Sequence, residues 1–195
     1  MKKTPLHPLH LSLNAKMTEL SNYDIPRQFE GTIEEHLHCR SNCSIFDLSY
    51  MGQIRIHGKD RQDFIESLVV SDIKELKIGS SAYTVMTNEV GGIIDDTVVT
   101  NLQDFVNIVV NASCVEKDIT HMNNEIENKW KGKDVCLELL ESSAFISIQG
   151  PKAYKALQPI TAANLNNLHF MESVFIEIPY INETVLVSRC GFTGR

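Results

Sequence analysis

Residues 87–101 read TNEVGGIIDDTVVTN. The stretch joins a turn signal, Gly91–Gly92, to an apolar, β-branched run that carries two adjacent acids, Asp95 and Asp96. Side chains alternate along a strand, so consecutive acids point to opposite faces. One can face the interior while the other faces water, and the interior acid then needs a partner, a ligand or a proton.

Outward from this stretch the pattern stays strand-rich. SAYTVMT (81–87) precedes it and DFVNIVVNAS (104–113) follows it. β-Branched and aromatic residues dominate both, and the short gaps bearing Asn, Gly and Asp predict hairpin connections in an antiparallel meander. Upstream, Ile54 and Ile56 alternate with Gln53, Arg55 and His57 as in a half-buried strand, closed by Gly58. Phe64, Ile65 and Leu68 in KDRQDFIESLVV (59–70) have helical spacing. TIEEHLHCR (32–40) reads as a short helix with Thr32 as N-cap, Glu35 at the capping-box position, and Ile33 and Leu37 on one side. Downstream, residues 113–130 form an amphipathic helix whose stripe is Cys114, Val115, Ile119, Met122 and Ile126. DVCLELLE (134–141) and AFISIQG (144–150) are strands, Pro151 suits the first turn of a helix in PKAYKALQ, and SVFIEIPY (173–180) with ETVLVSRC (183–190) is a final strand pair. Helices inserted among hairpins define an α+β architecture with mixed helices and antiparallel sheets.

The composition narrows the function. The 195 residues carry a formal charge of -7 without any dense basic stretch, which disfavours capture of nucleic acid or an anionic membrane. No run of about eighteen apolar residues exists to span a membrane. The opening MKKTPLHPLHLSLNAKM lacks an apolar core and is not a secretory signal. Five scattered cysteines without a CxxC pair read as free thiols in a reducing compartment. In HLHCRSNC (36–43), His36, Cys39 and Cys43 could share a helical face while His38 points elsewhere, but no second ligand cluster follows and no metal is expected. No nucleophile motif and no phosphate-cradling glycine pattern are present.

Several segments, in order and in register, resemble the aminomethyltransferase of the glycine cleavage system, its T protein. They are FDLSYMGQIRI (46–56), SLVVSDIKEL (67–76), YTVMTNEVGGIIDDTVVTN (83–101), VVNASCVEKD (109–118) and IQGPKA (148–153), with TPLHPLHLSLNAKM (4–17) at the start and SRCGFTG (188–194) at the end. The resemblance implies an N-terminal folate-binding region over residues 1–195, built as two interleaved α+β subdomains and corresponding to the first two of the family's three domains, the third being absent. It implies tetrahydrofolate as cofactor and the lipoyl-bearing H protein as partner. The implied reaction releases ammonia and passes a one-carbon unit from the aminomethyl-dihydrolipoyl arm to tetrahydrofolate. The expected location is the cytoplasm, or the mitochondrial matrix in a eukaryote.

The same resemblance assigns residues. Asp96, the second acid of GGIIDD, takes the catalytic position, orienting folate and stabilising developing positive charge, while Asp95 lies on the other face and assists the turn. If Asp96 is buried among apolar neighbours, desolvation favours its protonated form. Met51, Tyr83, Val98, Thr100, Val109 and Asn111 match positions lining the folate channel, and Phe170 matches an aromatic position beside the pterin. Each has an ordinary alternative: Val98 and Val109 as core strand residues, Met51 as a gap filler, Asn111 as the cap of the following helix. Three departures stand out: Tyr50 where the family has His, Tyr23 where it has Trp, and Arg195 where it has a pterin-binding Glu, since a cation cannot accept the pterin's hydrogen bonds. The competing reading is a non-catalytic folate-binding or partner-binding fragment of the same family, because lineage is not activity.

Overall fold

The computed structural model describes residues 1–193. The chain divides into two compact units, one formed by Met1–Tyr50 with Ser142–Arg195, the other by Met51–Glu141.

The first unit opens with β1 (Lys2–Lys3), α1 (His7–Ser12), β2 (Lys16–Leu20), β3 (Tyr23–Gln28), α2 (Thr32–Ser41) and β4 (Ser44–Asp47). β3 is central in a three-stranded sheet, parallel to β1 and antiparallel to β2. The cap of α2 differs from the expectation. Gly31, with extended backbone, is the N-cap, and Thr32 is the first helical residue, its hydroxyl donating to Gln28 Oε1 at 2.8 Å. Glu35 does reach back: its Oε1 accepts the N–H groups of Phe29, Glu30 and the N-cap Gly31 at 2.7, 2.9 and 3.2 Å, pinning the segment that enters the helix. Ile33 and Leu37 are exposed, and Cys39 is the buried residue of α2.

The second unit comprises β5 (Gly52–His57), α3 (Arg61–Glu66), β6 (Ser81–Thr87), β7 (Ile93–Asn101), β8 (Val106–Val110), α4 (Val115–Asn128) and β9 (Cys136–Leu139). Its five strands run antiparallel in the order β6-β7-β8-β5-β9, so the expected meander β6-β7-β8 is extended by β5. The β6–β7 turn starts at Asn88, whose Oδ1 accepts the N–H groups of Val90 and Gly92 at 3.2 and 2.7 Å, with Gly91 at φ 78° completing it. One sheet face is apolar: Ile54, Ile56, Val99, Val106, Ile108 and Val110 bury against Phe64 and Ile65 of α3 and Met122 of α4. Val115, Ile119 and Ile126 of α4 pack half-buried on the same core, as the stripe predicts.

The chain then returns to the first unit with β10 (Ile146–Gln149), antiparallel to β4, and α5 (Ala153–Leu157). Pro151 lies ahead of α5, not in its first turn, because Lys152 is the N-cap. After two single-turn 3-10 helices, β11 (Glu172–Ile178) and β12 (Glu183–Arg189) pair as a hairpin over a small core of Leu165, Ile176 and Ile178. Gly194 and Arg195, on which the expected loss of the pterin-binding Glu rests, lie outside the described residues.

Candidate functional site

Register decides which side chains of the five-stranded sheet share a face. Tyr83 stands opposite Val98, Val85 opposite Asp96, and Val98 opposite Val109. Directly paired residues project to the same side, and residues two apart along a strand do likewise. Tyr83, Asp96, Val98, Thr100 and Val109 therefore lie together on the face turned away from the apolar core. Asn111 continues the β8 series two residues beyond Val109. Met51 precedes Gly52, which pairs with Val110, and so sits at the same end of the sheet as Asn111. Val98, Val109, Asn111 and Met51 are half-buried, while Tyr83 is 65% exposed. Thr100 is buried and its hydroxyl is 2.9 Å from that of Ser81. Phe170 belongs to the other unit, in the turn before β11, and is 68% exposed.

The acid pair splits as alternation requires, but the interior member is Asp95. Asp95 is 5% exposed and Asp96 is exposed, so the apolar burial on which a protonated Asp96 was expected is absent. Asp96 is instead fixed by donors: Tyr83 Oη donates to Oδ2 at 2.9 Å and Asn111 Nδ2 to Oδ1 at 3.0 Å. Hydrogen bonding to Asp96, then its negative charge, raises the Tyr83 pKa, so the phenol keeps its proton and remains a donor.

Asp95 does not serve the β6–β7 turn. It ties the β8–α4 corner to β7, accepting from the Asn111 backbone N–H and from Asn111 Nδ2, both at 3.0 Å. The helix-capping alternative for Asn111 is thereby removed: Cys114 is the N-cap of α4, which has no side-chain cap bond. Burial alone would push the Asp95 pKa up, but hydrogen bonds from Asn111, Cys114 and Asp118 outweigh it and the net shift is downward.

Asp118 was not among the expected site residues. It is fully buried on the apolar side of α4, three residues after Val115 and four before Met122. Burial first, and the neighbouring Asp95 charge second, push its pKa up to about 7. The signal was present in the sequence: a carboxylate inside the amphipathic stripe of a helix has no solvent to face.

The HLHCRSNC segment does not form a ligand set. α2 ends at Ser41 before Cys43, His36 and His38 are exposed, and the Cys39 thiol faces the Gln149 carbonyl at 3.6 Å. Among the described residues no group of three or more His, Cys, Asp or Glu could hold a metal ion. A depression of about 430 Å³ lined by Asp60, Asp63, Glu66, Lys74, Trp130 and Lys133 shares no residue with the Asp96 face, and Lys74 in it is already paired with Asp63 at 2.9 Å.

Residues 6–195 match the family described as GCVT N-terminal domain. The chain is 44% identical to the mitochondrial aminomethyltransferase of Dictyostelium discoideum over 201 residues, covering 100% of this chain and 49% of that protein. It is 40% identical to the human mitochondrial aminomethyltransferase over 198 residues, again covering 100% of this chain and 49% of the relative. The chain thus spans about half the length of the curated relatives it matches. The crystal structure of glycine cleavage system aminomethyltransferase T from Bartonella henselae superposes with a TM-score of 0.87 at 29% identity, covering 99% of this chain and 51% of that one. A heterotetrameric sarcosine oxidase from Corynebacterium sp. U-96 shares the fold alone, at TM-score 0.52 and 12% identity over 84% of this chain and 83% of that one. With a family match that runs from residue 6 to the end and relatives aligned along its whole length, the chain belongs to the GCVT N-terminal domain family.

Proposed function

We propose that this chain is the folate-binding half of a tetrahydrofolate-dependent aminomethyltransferase of the glycine cleavage system. In this reading it takes the aminomethyl group from the dihydrolipoyl arm of H protein, releases ammonia and passes the one-carbon unit to tetrahydrofolate. The observation that carries the reading is the Asp96 carboxylate, exposed on the open sheet face yet fixed by Tyr83 Oη at 2.9 Å and Asn111 Nδ2 at 3.0 Å. The working compartment is the cytoplasm, or the mitochondrion that the relatives' names give. No helix among the described residues is long and apolar enough to cross a membrane.

The fixed acceptor suits a reduced pterin. A pterin presents N–H and amino donors on a flat ring, so it needs fixed acceptors beside apolar walls. Asp96 retains lone pairs beyond the two that Tyr83 and Asn111 occupy. Val98, Val109 and Met51 supply apolar surface, and the Tyr83 ring supplies aromatic contact. When bound, tetrahydrofolate supplies the nitrogens that take up the one-carbon unit. Asp96 holds negative charge where positive charge develops and accepts or returns a proton at its free lone pairs. Tyr83 and Asn111 hold that carboxylate in place before the reaction, so little reorganisation is needed during it.

The test is ammonia release from aminomethyl-loaded H protein in the presence of tetrahydrofolate. Asp96→Asn should lower transfer by roughly a hundredfold or more while tetrahydrofolate affinity changes by about tenfold. Unchanged transfer in this variant would remove Asp96 from the role. Folate binding with no transfer in either protein would support the non-catalytic reading instead.

A further inference from the structure

We propose that Asp95 and Asp118 form a proton-sharing acid pair which positions the Asn111 amide against Asp96, so that a buried protonation site sets the geometry of the open sheet face.

The geometry makes the shared proton necessary. Asp118 is 0% exposed, and among the described residues no side chain or backbone N–H supplies a donor to either of its oxygens. An ionised carboxylate in that position would be desolvated without compensation. A protonated one has an O–H of its own, and α4 packs on β7, the strand that carries Asp95, the carboxylate that bears on Asp118. Asp95 can stay anionic because Asn111 N–H, Asn111 Nδ2 and the Cys114 side chain also donate to it. The groups facing the pair are therefore Asp95 on β7, Cys114 at the start of α4 and Lys117 on α4. The Lys117 ammonium is engaged elsewhere, donating to the Ile94 carbonyl at 2.6 Å. Two like carboxyls in one dry site do not both ionise near neutrality, and a downward shift for Asp95 with an upward shift for Asp118 fits one shared proton.

The pair reaches the surface through one side chain. Asn111 Nδ2 lies 3.0 Å from Asp95 Oδ1, 3.0 Å from Asp96 Oδ1 and 3.2 Å from the Asp96 carbonyl oxygen. All three are acceptors, so the amide nitrogen must occupy this position, and the reverse flip would set oxygen against oxygen. Asn111 Oδ1 is consequently turned away from both acids. Asp95 and Asp118 are positioning residues: Asp95 accepts from Asn111, which in turn holds Asp96, and Asp118 acts through Asp95. Loss of the shared proton would leave two buried anions side by side and loosen the amide that Asp95 holds against Asp96.

The inference rests on the proposed folate site only for its consequence, and its test separates the two. In the wild-type chain, carbon-detected NMR of the Asp carboxyls should show Asp118 protonated at about pH 5.5 and titrating near 7, with the Asn111 side-chain amide signals moving at the same midpoint. In Asp118→Asn, whose amide can still donate to Asp95, the Asn111 signals should remain protected from exchange and lose the step. Calorimetry with tetrahydrofolate should show Kd rising about fivefold between pH 6 and pH 8 in the wild type and staying level in D118N. An ionised Asp118 at pH 5.5, or an Asn111 step that survives in D118N, would overturn the proposal. The wild-type titration decides by itself even where D118N does not fold. Absence of tetrahydrofolate binding at every pH would count against the folate reading, while the NMR result would still decide the acid pair.

Discussion

Tyr83 and Asp96 are diagonal neighbours across β6 and β7, and the phenol donates to the carboxylate at 2.9 Å. The bond crosses an exposed face, so it does little for the fold and much for the direction in which Asp96 points. Tyr83→Phe removes this donor and leaves the ring. Stability should change by less than about 0.5 kcal/mol, because the site is exposed. Tetrahydrofolate affinity should fall about fivefold, the effect of one hydrogen bond of roughly 1 kcal/mol. Isothermal calorimetry with thermal unfolding alongside checks both.

Asp118 ties stability to pH. Its folded-state pKa of about 7 lies above the ordinary carboxylate value of 3.8, so the folded chain holds a proton that the unfolded chain releases. That stabilisation is complete below pH 4 and is lost as pH rises towards 7. Asp95, shifted downward, acts in the opposite sense, adding stability above 3.8 that is lost as pH falls through its folded value. Urea unfolding of the second unit should therefore show a loss of about 2 kcal/mol between pH 5 and pH 8, which D118N flattens. Trp130, the single tryptophan of the chain, packs edge-on to Phe64 in this unit and reports the transition by fluorescence.

In the first unit, Asp47 gathers three donors: Thr4 Oγ1 and His10 Nε2 on Oδ2 at 2.6 and 2.8 Å, and the Ser49 N–H on Oδ1 at 3.0 Å. Burial pushes its pKa up, but the bonds from Ser49, Thr4 and His10 outweigh it and the net shift is downward. Its contribution is present above pH 3.8 and lost as pH falls. Asp47→Ala should cost about 2–4 kcal/mol, because it strands buried donors on Thr4 and His10. Hydrogen exchange of the β4 amides would measure the loss.

Gly58 ends β5 at φ 98°, and a Cβ there would collide with the Asp134 carbonyl. Gly58→Ala thus combines backbone strain with steric overlap and should destabilise the second unit by roughly 2 kcal/mol or more, read from Trp130 fluorescence.

The strands of the second unit were legible because period-two alternation and burial coincide there: Ile54 and Ile56 face the core while Gln53 and Arg55 do not. The first 28 residues were opaque, since β2 and β3 carry KMTEL and YDIPRQ, short, polar and mostly unburied. The cap of α2 was displaced by one residue because Gly31 takes the extended backbone and Glu35 serves it from farther away. At the site, alternation was enough to separate Asp95 from Asp96 but could not say which faced inward. That depended on the core-facing phase of β7, set by Thr97 and Val99. Asp118 shows the reverse case: its place in the α4 stripe was readable, but its partner lies on a strand 23 positions earlier, which only the fold brings beside it.

Calorimetric titration of the chain with tetrahydrofolate, with Asp96→Asn run beside it, tests the role of Asp96 at its source. Saturable one-to-one binding is expected, weakened about tenfold when the charged acceptor is replaced. Binding of equal strength in both proteins would contradict it, because Asp96 would then hold no part of the ligand.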